Sequence, residues 1–207
     1  MIKILNLSYT VSLTYIMTSF FDTVSQLTHL TPEGKDALAS VLTLKEAGRG
    51  EVLLNVDSVC NYVFYIESGL TRTFYYKDGK DVTDWISTEG TFAVSIVSFI
   101  TRQPDRRGIE ALENCRLYAL HYADLEKLYS RHHDIERLGR LLVSMGLIQL
   151  QKRFDDLHFA TAKERYIQIL NETPTLVQRV PLGILASFLG ITQETLSRIR
   201  SQAHITF

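Results

Sequence analysis

Between about residue 42 and residue 121 the chain is a succession of short runs rich in Val, Ile, Thr, Tyr and Phe. They read EVLLNV (51–56), YVFYIES (62–68), LTRTFYY (70–76), VTDWIS (82–87) and IEALENCRLYAL (109–120). Turn-forming residues punctuate them at Gly48–Gly50, Asp57-Ser58, Ser68-Gly69, Lys77-Asp78-Gly79-Lys80 and Glu89-Gly90. Asp78-Gly79 suits a tight hairpin, because glycine accepts a positive φ without steric cost. Many short strands at this spacing leave no room for the helical crossovers of a parallel sheet, so a sandwich or roll is expected.

Helices flank this region. Residues from about 17 to 41 read as two short helices, the second opened by Thr31 as N-cap and Pro32 at its first position. Beyond His121 the apolar period becomes helical. Leu125 and Leu128 share one face of a short helix. Ile135, Leu138, Leu142 and Met145, extended by Leu141, Leu147 and Ile148, then mark a long one. The stretch 132–158 holds no proline, and its only glycines are Gly139 and Gly146. At ~1.5 Å per residue it reaches about 40 Å, more than one small domain covers on both sides, so a homodimer seam is its natural use. A further helix over 162–173 stops at Thr173-Pro174, and a loop through Arg179-Val180-Pro181 leads to two last helices.

The expected architecture is therefore α+β: an N-terminal β-roll over 17–131, a dimerisation helix over 132–158 and a helical domain over 159–207. Residues 1–16 interrupt their apolar positions with Asn6, Ser8, Thr10, Ser12 and Thr14, which suits neither a signal peptide nor a membrane span. They read as an upstream, non-native or disordered extension, with Met17 as the natural start.

Net charge is −1 over 207 residues, so nothing global advertises nucleic acid. From Gln151 onward, however, seven cations face five anions. Two cysteines, Cys60 and Cys115, form no spaced cluster and read as buried thiols in a reducing cytoplasm. Adjacent His132 and His133 point to different sides of a helix, a poor geometry for shared metal ligation. Neither a phosphate loop nor a nucleophile elbow nor a metalloprotease motif is present, so neither an enzyme nor a metal site is expected.

The strongest local motif is PLGILASFLGITQETLSRIRSQ, 181–202. Pro181 suits a first helical turn. Ala186 is small where helices must cross, and Gly190 follows where the chain must turn sharply. Thr192 caps a second helix whose Leu196 and Ile199 face inward. Gln193, Glu194, Ser197, Arg198 and Ser201 are left on its outer face. This is a helix-turn-helix pattern. Arg198 can donate two parallel bonds to guanine, Glu194 can accept from cytosine and Gln193 can pair with adenine. Thr192, Thr195, Ser197 and Arg200 suit phosphates, which position a helix without reading sequence.

The sequence resembles the Crp/Fnr family of regulators from about residue 20 onward, closest to the short members common in Bacteroidetes-type bacteria. The residues that carry the resemblance are YVFYIESGLTRTFYYKDGKDVTDWI (62–86), IEALENCRLYAL (109–120), KERYIQIL (163–170), Pro174 and VPLGILASFLGITQETLSRIR (180–200). It implies a jelly-roll like that of cyclic-nucleotide-binding domains, a homodimer through 132–158 and a C-terminal reader of double-stranded DNA. RNA polymerase is a candidate further partner. By the same resemblance, Gln193, Glu194 and Arg198 take the base-reading positions.

The chain departs from the family's nucleotide cassette. Where that cassette has Phe-x-Gly-Glu followed about ten residues later by an arginine, this chain has Phe92-Ala93-Val94-Ser95 and then Asp105. A carboxylate facing a phosphate is repulsive, so cAMP and cGMP are not expected as cofactors in the usual manner. If the loop register shifts, Arg106 or Arg107 could stand in. Phe92, Ser95, Arg106 and Arg107 are thus the candidate effector residues for some other small molecule. The low net charge also leaves open a ligand sensor or interaction module without DNA binding.

Overall fold

The computed structural model describes residues 17–203. The expectation for residues 1–16 falls outside them, as do His204–Phe207. Two helices come first, α1 (Thr18–Leu27) and α2 (Pro32–Val41), the latter with Pro32 in its first turn and the Thr31 hydroxyl accepting the Gly34 N–H. Eight strands follow: β1 (Thr43–Ala47), β2 (Val52–Leu54), β3 (Tyr62–Ser68), β4 (Thr71–Lys77), β5 (Lys80–Ser87), β6 (Phe92–Ala93), β7 (Gly108–Ala111) and β8 (Cys115–His121). They form two antiparallel four-stranded sheets, ordered β1-β8-β3-β6 and β2-β7-β4-β5, which close as a roll.

Strand β3 is buried on both faces, and so Phe64, Tyr65 and Ile66 run apolar without alternation. Phe64 and Ile66 join the roll interior with Ile109 and Leu117, while Tyr65 and Tyr118 meet Phe20 of α1 edge-on. The β4–β5 hairpin closes through Lys77 paired with Lys80, and Asp78 and Gly79 both take positive φ, 51° and 72°. That is the geometry a two-residue turn needs to follow the strands' twist.

Three elements of the roll were not foreseen from sequence. β1 (TLKEA) carries Lys45 and Glu46, and β6 has two residues. Both are defined by partners, β8 and β3, rather than by their own pattern. Helix α3 (Ile96–Thr101) has six residues, too few for a periodic signal. The stretch 109–120 is also two strands, broken at Leu112–Asn114.

Helix α4 (Tyr122–Tyr129) buries Leu125 and Leu128. The long helix α5 (His133–Phe159) has 27 residues. Its start is bolted to the N-terminal helices, because the Asp134 carboxylate accepts the Thr31 N–H at 2.7 Å and the Thr31 hydroxyl at 2.8 Å. Ile135 and Leu138 are buried there, and Gly139 leaves room for the Tyr129 ring. Farther along, several apolar residues are exposed: Leu147 is 66% exposed, Ile148 69% and Phe159 83%.

The tail holds α6 (Ala162–Glu172), α7 (Pro174–Arg179), α8 (Leu182–Phe188) and α9 (Gln193–Ala203). A capping box starts α6, with Thr161 and Glu164 satisfying each other's backbone N–H. The expected loop after Thr173 is instead the short helix α7. Pro174 stops α6 but opens α7, where its missing N–H costs nothing. Tyr166, Leu176, Val177, Leu185, Leu189, Leu196 and Ile199 form a second core, which Leu70, Ile86 and Leu112 of the roll complete.

Candidate nucleic-acid interface and the roll interior

The two last helices are set by backbone chemistry. Pro181 is the residue that caps α8, with φ −54° and ψ 139°, rather than a member of its first turn. At the far end the Leu189 N–H donates to Leu185 O at 2.9 Å and the Gly190 N–H to Ser187 O at 3.0 Å, and the Ile191 N–H returns to Ala186 O at 3.0 Å. Gly190 has φ +69°, where a Cβ is disfavoured. The Thr192 hydroxyl accepts the Thr195 N–H at 3.3 Å, and the Leu196 N–H bonds Thr192 O. Leu196 and Ile199 are buried, and Ala186 lies beneath the crossing.

This leaves Thr192, Gln193, Glu194, Ser197 and Arg198 exposed, with Thr195 and Arg200 half-buried. Gln193, Glu194, Ser197 and Arg198 line one open groove with Leu182. Of the seven residues singled out here, four thus share one groove, and Thr192, Thr195 and Arg200 are not among its lining. Its own backbone N–H and the Thr192 hydroxyl hold Glu194 below the usual carboxylate range, so it presents an anionic acceptor beside the Arg198 cation.

Two guanidinium groups hold the turn from behind. Arg153 of α5 stacks 4.0 Å over the Phe188 ring and donates to Phe188 O at 3.0 Å. Arg165 of α6 donates from Nη2 to Leu189 O at 2.9 Å and from Nη1 to Ala160 O at 2.5 Å. They satisfy carbonyls left open where α8 ends. The long helix and α6 thus both contact the turn through side chains.

The same tail grips the roll. The Ser187 hydroxyl accepts the Thr83 N–H at 2.8 Å. Arg179 bridges Glu89, at 2.6 Å, and Glu113. The Arg179 side chain, despite partial burial, pulls the Glu89 pKa down to about 2. None of Arg153, Arg165, Arg179 or Ser187 stood out in the sequence, because each acts on a partner at least 24 residues away.

Inside the roll, Ser95 and Asp105 meet. Ser95 is 1% exposed, and its hydroxyl donates to Asp105 Oδ2 at 2.8 Å. Arg107 pairs with Asp105 at 3.2 Å and with Asp84 at 2.6 Å. Burial opposes the Asp105 charge, but the Ser95 hydroxyl and Arg107 hold its pKa below the ordinary range. The exposed Arg106 side chain is not in this network. Phe92 turns elsewhere, its ring 5.3 Å from Tyr65. The structure thus brings Ser95 and Arg107 together and leaves Phe92 and Arg106 apart from them. Sequence reasoning also missed Arg72, which is buried and paired with Asp81 at 2.6 Å and Glu110 at 2.7 Å.

Cys60 and Cys115 are buried free thiols, and burial pushes both pKa values up. Among the described residues no group of three or more His, Cys, Asp or Glu could hold a metal ion, and no helix is long and apolar enough to cross a membrane.

Residues 44–132 match the family model of the cyclic nucleotide-binding domain. No curated protein matches the sequence. Among solved structures, the chain is similar to FixK2 from Bradyrhizobium japonicum (TM-score 0.70, 21% identity, 80% of this chain and 86% of that one). It is similar to the c-di-GMP-responsive global regulator CLP from Xanthomonas campestris (0.66, 16%, 85% and 93%). It is also similar to a protein from Eubacterium rectale assigned to the Crp/Fnr transcriptional regulators (0.67, 15%, 86% and 85%). The chain has the fold of the Crp/Fnr regulators, as the resemblance in its sequence implied.

Proposed function

We propose that this chain, built on the Crp/Fnr fold, is a homodimeric, DNA-binding transcription regulator of the cytoplasm, and not an enzyme. One observation carries the reading. The last helix buries Leu196 and Ile199 and turns Gln193, Glu194, Ser197 and Arg198 into a single open groove. Those four side chains include a bidentate donor and a fixed acceptor, the chemistry that base edges in a major groove require.

In this reading residues 17–131 are the sensor, 132–158 the dimerisation helix and 159–207 the reading domain. The uncovered apolar residues from Val143 to Phe159 supply the seam. A dimer about a two-fold axis would present two reading helices to successive major grooves, about 34–36 Å apart, on a pseudo-palindromic site. Thr192, Thr195, Ser197 and Arg200 meet phosphates. RNA polymerase is a candidate further partner.

The effector is not a cyclic nucleotide bound in the usual manner. The sequence resemblance aligns Asp105 with the phosphate-binding arginine, and Ser95 and Arg107 are already engaged with its carboxylate. A different small molecule is the candidate effector, and it would act by binding one arrangement of roll and reading domain better than the other.

The test is selection of random duplex DNA by the purified protein at about physiological salt, followed by sequencing. An enriched palindrome is expected. Binding to random duplex should also weaken steeply as salt rises, since phosphate neutralisation releases counterions. A folded dimer that enriches nothing and shows a flat salt slope would overturn the reading in favour of a sensor or interaction module.

A further inference from the structure

We infer that Gly183, outside the recognition helix, sets the orientation of Gln193 and thereby decides what this reading head recognises at one base. The inference rests on the DNA-binding reading above. Gly183 is the second residue of α8, and its φ carries no demand for glycine. The demand is spatial. A Cβ built at 183 would fall on Gln193 Nε2, with Gln193 Cδ at 3.4 Å and Cγ at 4.0 Å. The Gln193 amide thus lies in the notch that the absent Cβ leaves over the first turn of α8.

The notch forms one side of the groove. Leu182 and Gln193 lie at this edge, and Glu194, Ser197 and Arg198 continue it along α9. Gln193 is the first residue of α9 and is exposed, and its long side chain rests in the notch. A glutamine amide reads adenine through one donor and one acceptor held in a plane, and recognition fails if the plane turns. Any side chain at 183 evicts the amide while leaving Glu194, Ser197 and Arg198 untouched.

Because the displaced atom is the far end of a flexible side chain, the fold tolerates the change. Alanine also has the better helix propensity. Gly183→Ala is thus a variant that moves one reading group and little else.

The experiment is the random-duplex selection repeated on full-length Gly183→Ala, Gln193→Ala and the double variant, with thermal melting of each. The expected result is an unchanged or raised Tm and unchanged affinity for random duplex. Preference should be lost or switched at one position of each half-site, by roughly fivefold or more, the low end of a bidentate base contact. That position should coincide with the one Gln193→Ala alters, and the double variant should match Gln193→Ala alone. A Gly183→Ala preference identical to that of the wild type, or altered only where Gln193→Ala has no effect, would overturn the inference. A general loss of affinity or of Tm would likewise show Gly183 to be merely structural. If the wild type itself enriches no sequence, the DNA-binding reading fails first, and that outcome is distinct from all of these.

Discussion

Ser95 donates its hydroxyl proton to Asp105 at 2.8 Å in the roll interior, joining the two residues that the sequence resemblance aligns with a glutamate and an arginine of the family's nucleotide cassette. The pair satisfies itself, and Arg107 neutralises its charge. A cyclic phosphate entering here would meet a carboxylate whose pKa is held low and which therefore stays ionised at neutral pH. Millimolar cAMP or cGMP should produce no shift in Tm. A shift of several degrees with either would show binding to the native state.

The same network makes a stability prediction. Asp105→Ala strands the buried Ser95 hydroxyl and leaves Arg107 with Asp84 alone. The loss should be about 1–3 kcal/mol, the usual consequence of removing one partner of a buried polar pair. Urea denaturation of the variant would measure it, and a value near zero would mean that water replaces the carboxylate.

The proposed dimer seam can be tested through Ile148, 69% exposed on α5 within the single chain. A charge there is harmless if the helix faces solvent and disruptive if it faces a second copy. Ile148→Glu should give a folded monomer by sedimentation and weaken specific DNA binding. An unchanged dimer would place the interface elsewhere.

Much of this was legible in the sequence because local chemistry dictated it. The Asp78-Gly79 hairpin, the Thr31-Pro32 helix start and the Gly190 turn each depend on a few adjacent residues, and all three stand as expected. Strand β1 was illegible because Lys45 and Glu46 give it no apolar pattern. Its identity comes from β8, about 70 residues away. The docking of the tail on the roll was illegible for the same reason. Leu70 and Leu112 are unremarkable apolar residues until Val177 and Leu185 are brought to them by the fold. At the candidate interface the exposed residues of α9 could be named from helical spacing. The groups that position them, Arg153, Arg165 and Gly183, could not, since each acts across a contact between elements.

The proposed division between readers and anchors separates two arginines. Arg198 is exposed in the groove, and Arg200 is half-buried at its side. Arg198→Ala should cost roughly 1–3 kcal/mol on the selected site and relax preference at one base. Arg200→Ala should weaken every sequence alike and reduce the salt slope by about one phosphate. Equal losses on specific and random DNA for Arg198→Ala would reassign it to the phosphate backbone.

Docking of the tail on the roll should respond to acid in a defined direction. Arg179 lowers the Glu89 pKa from its ordinary 4.5 to about 2. A carboxylate whose folded pKa is depressed contributes fully above its unfolded value and loses that contribution as pH falls through the folded one. The contact should thus be intact at pH 5 and above, weaken progressively below about 4.5, and be gone near pH 2. Glu89 is 40% exposed at its side chain, so solvent screens the pair and salt near 1 M should loosen it as well. The Thr83 amide is the local reporter, since its hydrogen bond goes to Ser187 of the tail. Hydrogen exchange, expressed as protection relative to the unfolded chain, should fall at Thr83 in Glu89→Gln and in Ser187→Ala. Protection in β3 should stay as it was. Loss at both places would mean that the roll itself is opening, and protection unchanged at Thr83 would mean that the apolar contacts of Leu70, Ile86 and Leu112 hold the tail without the ion pair.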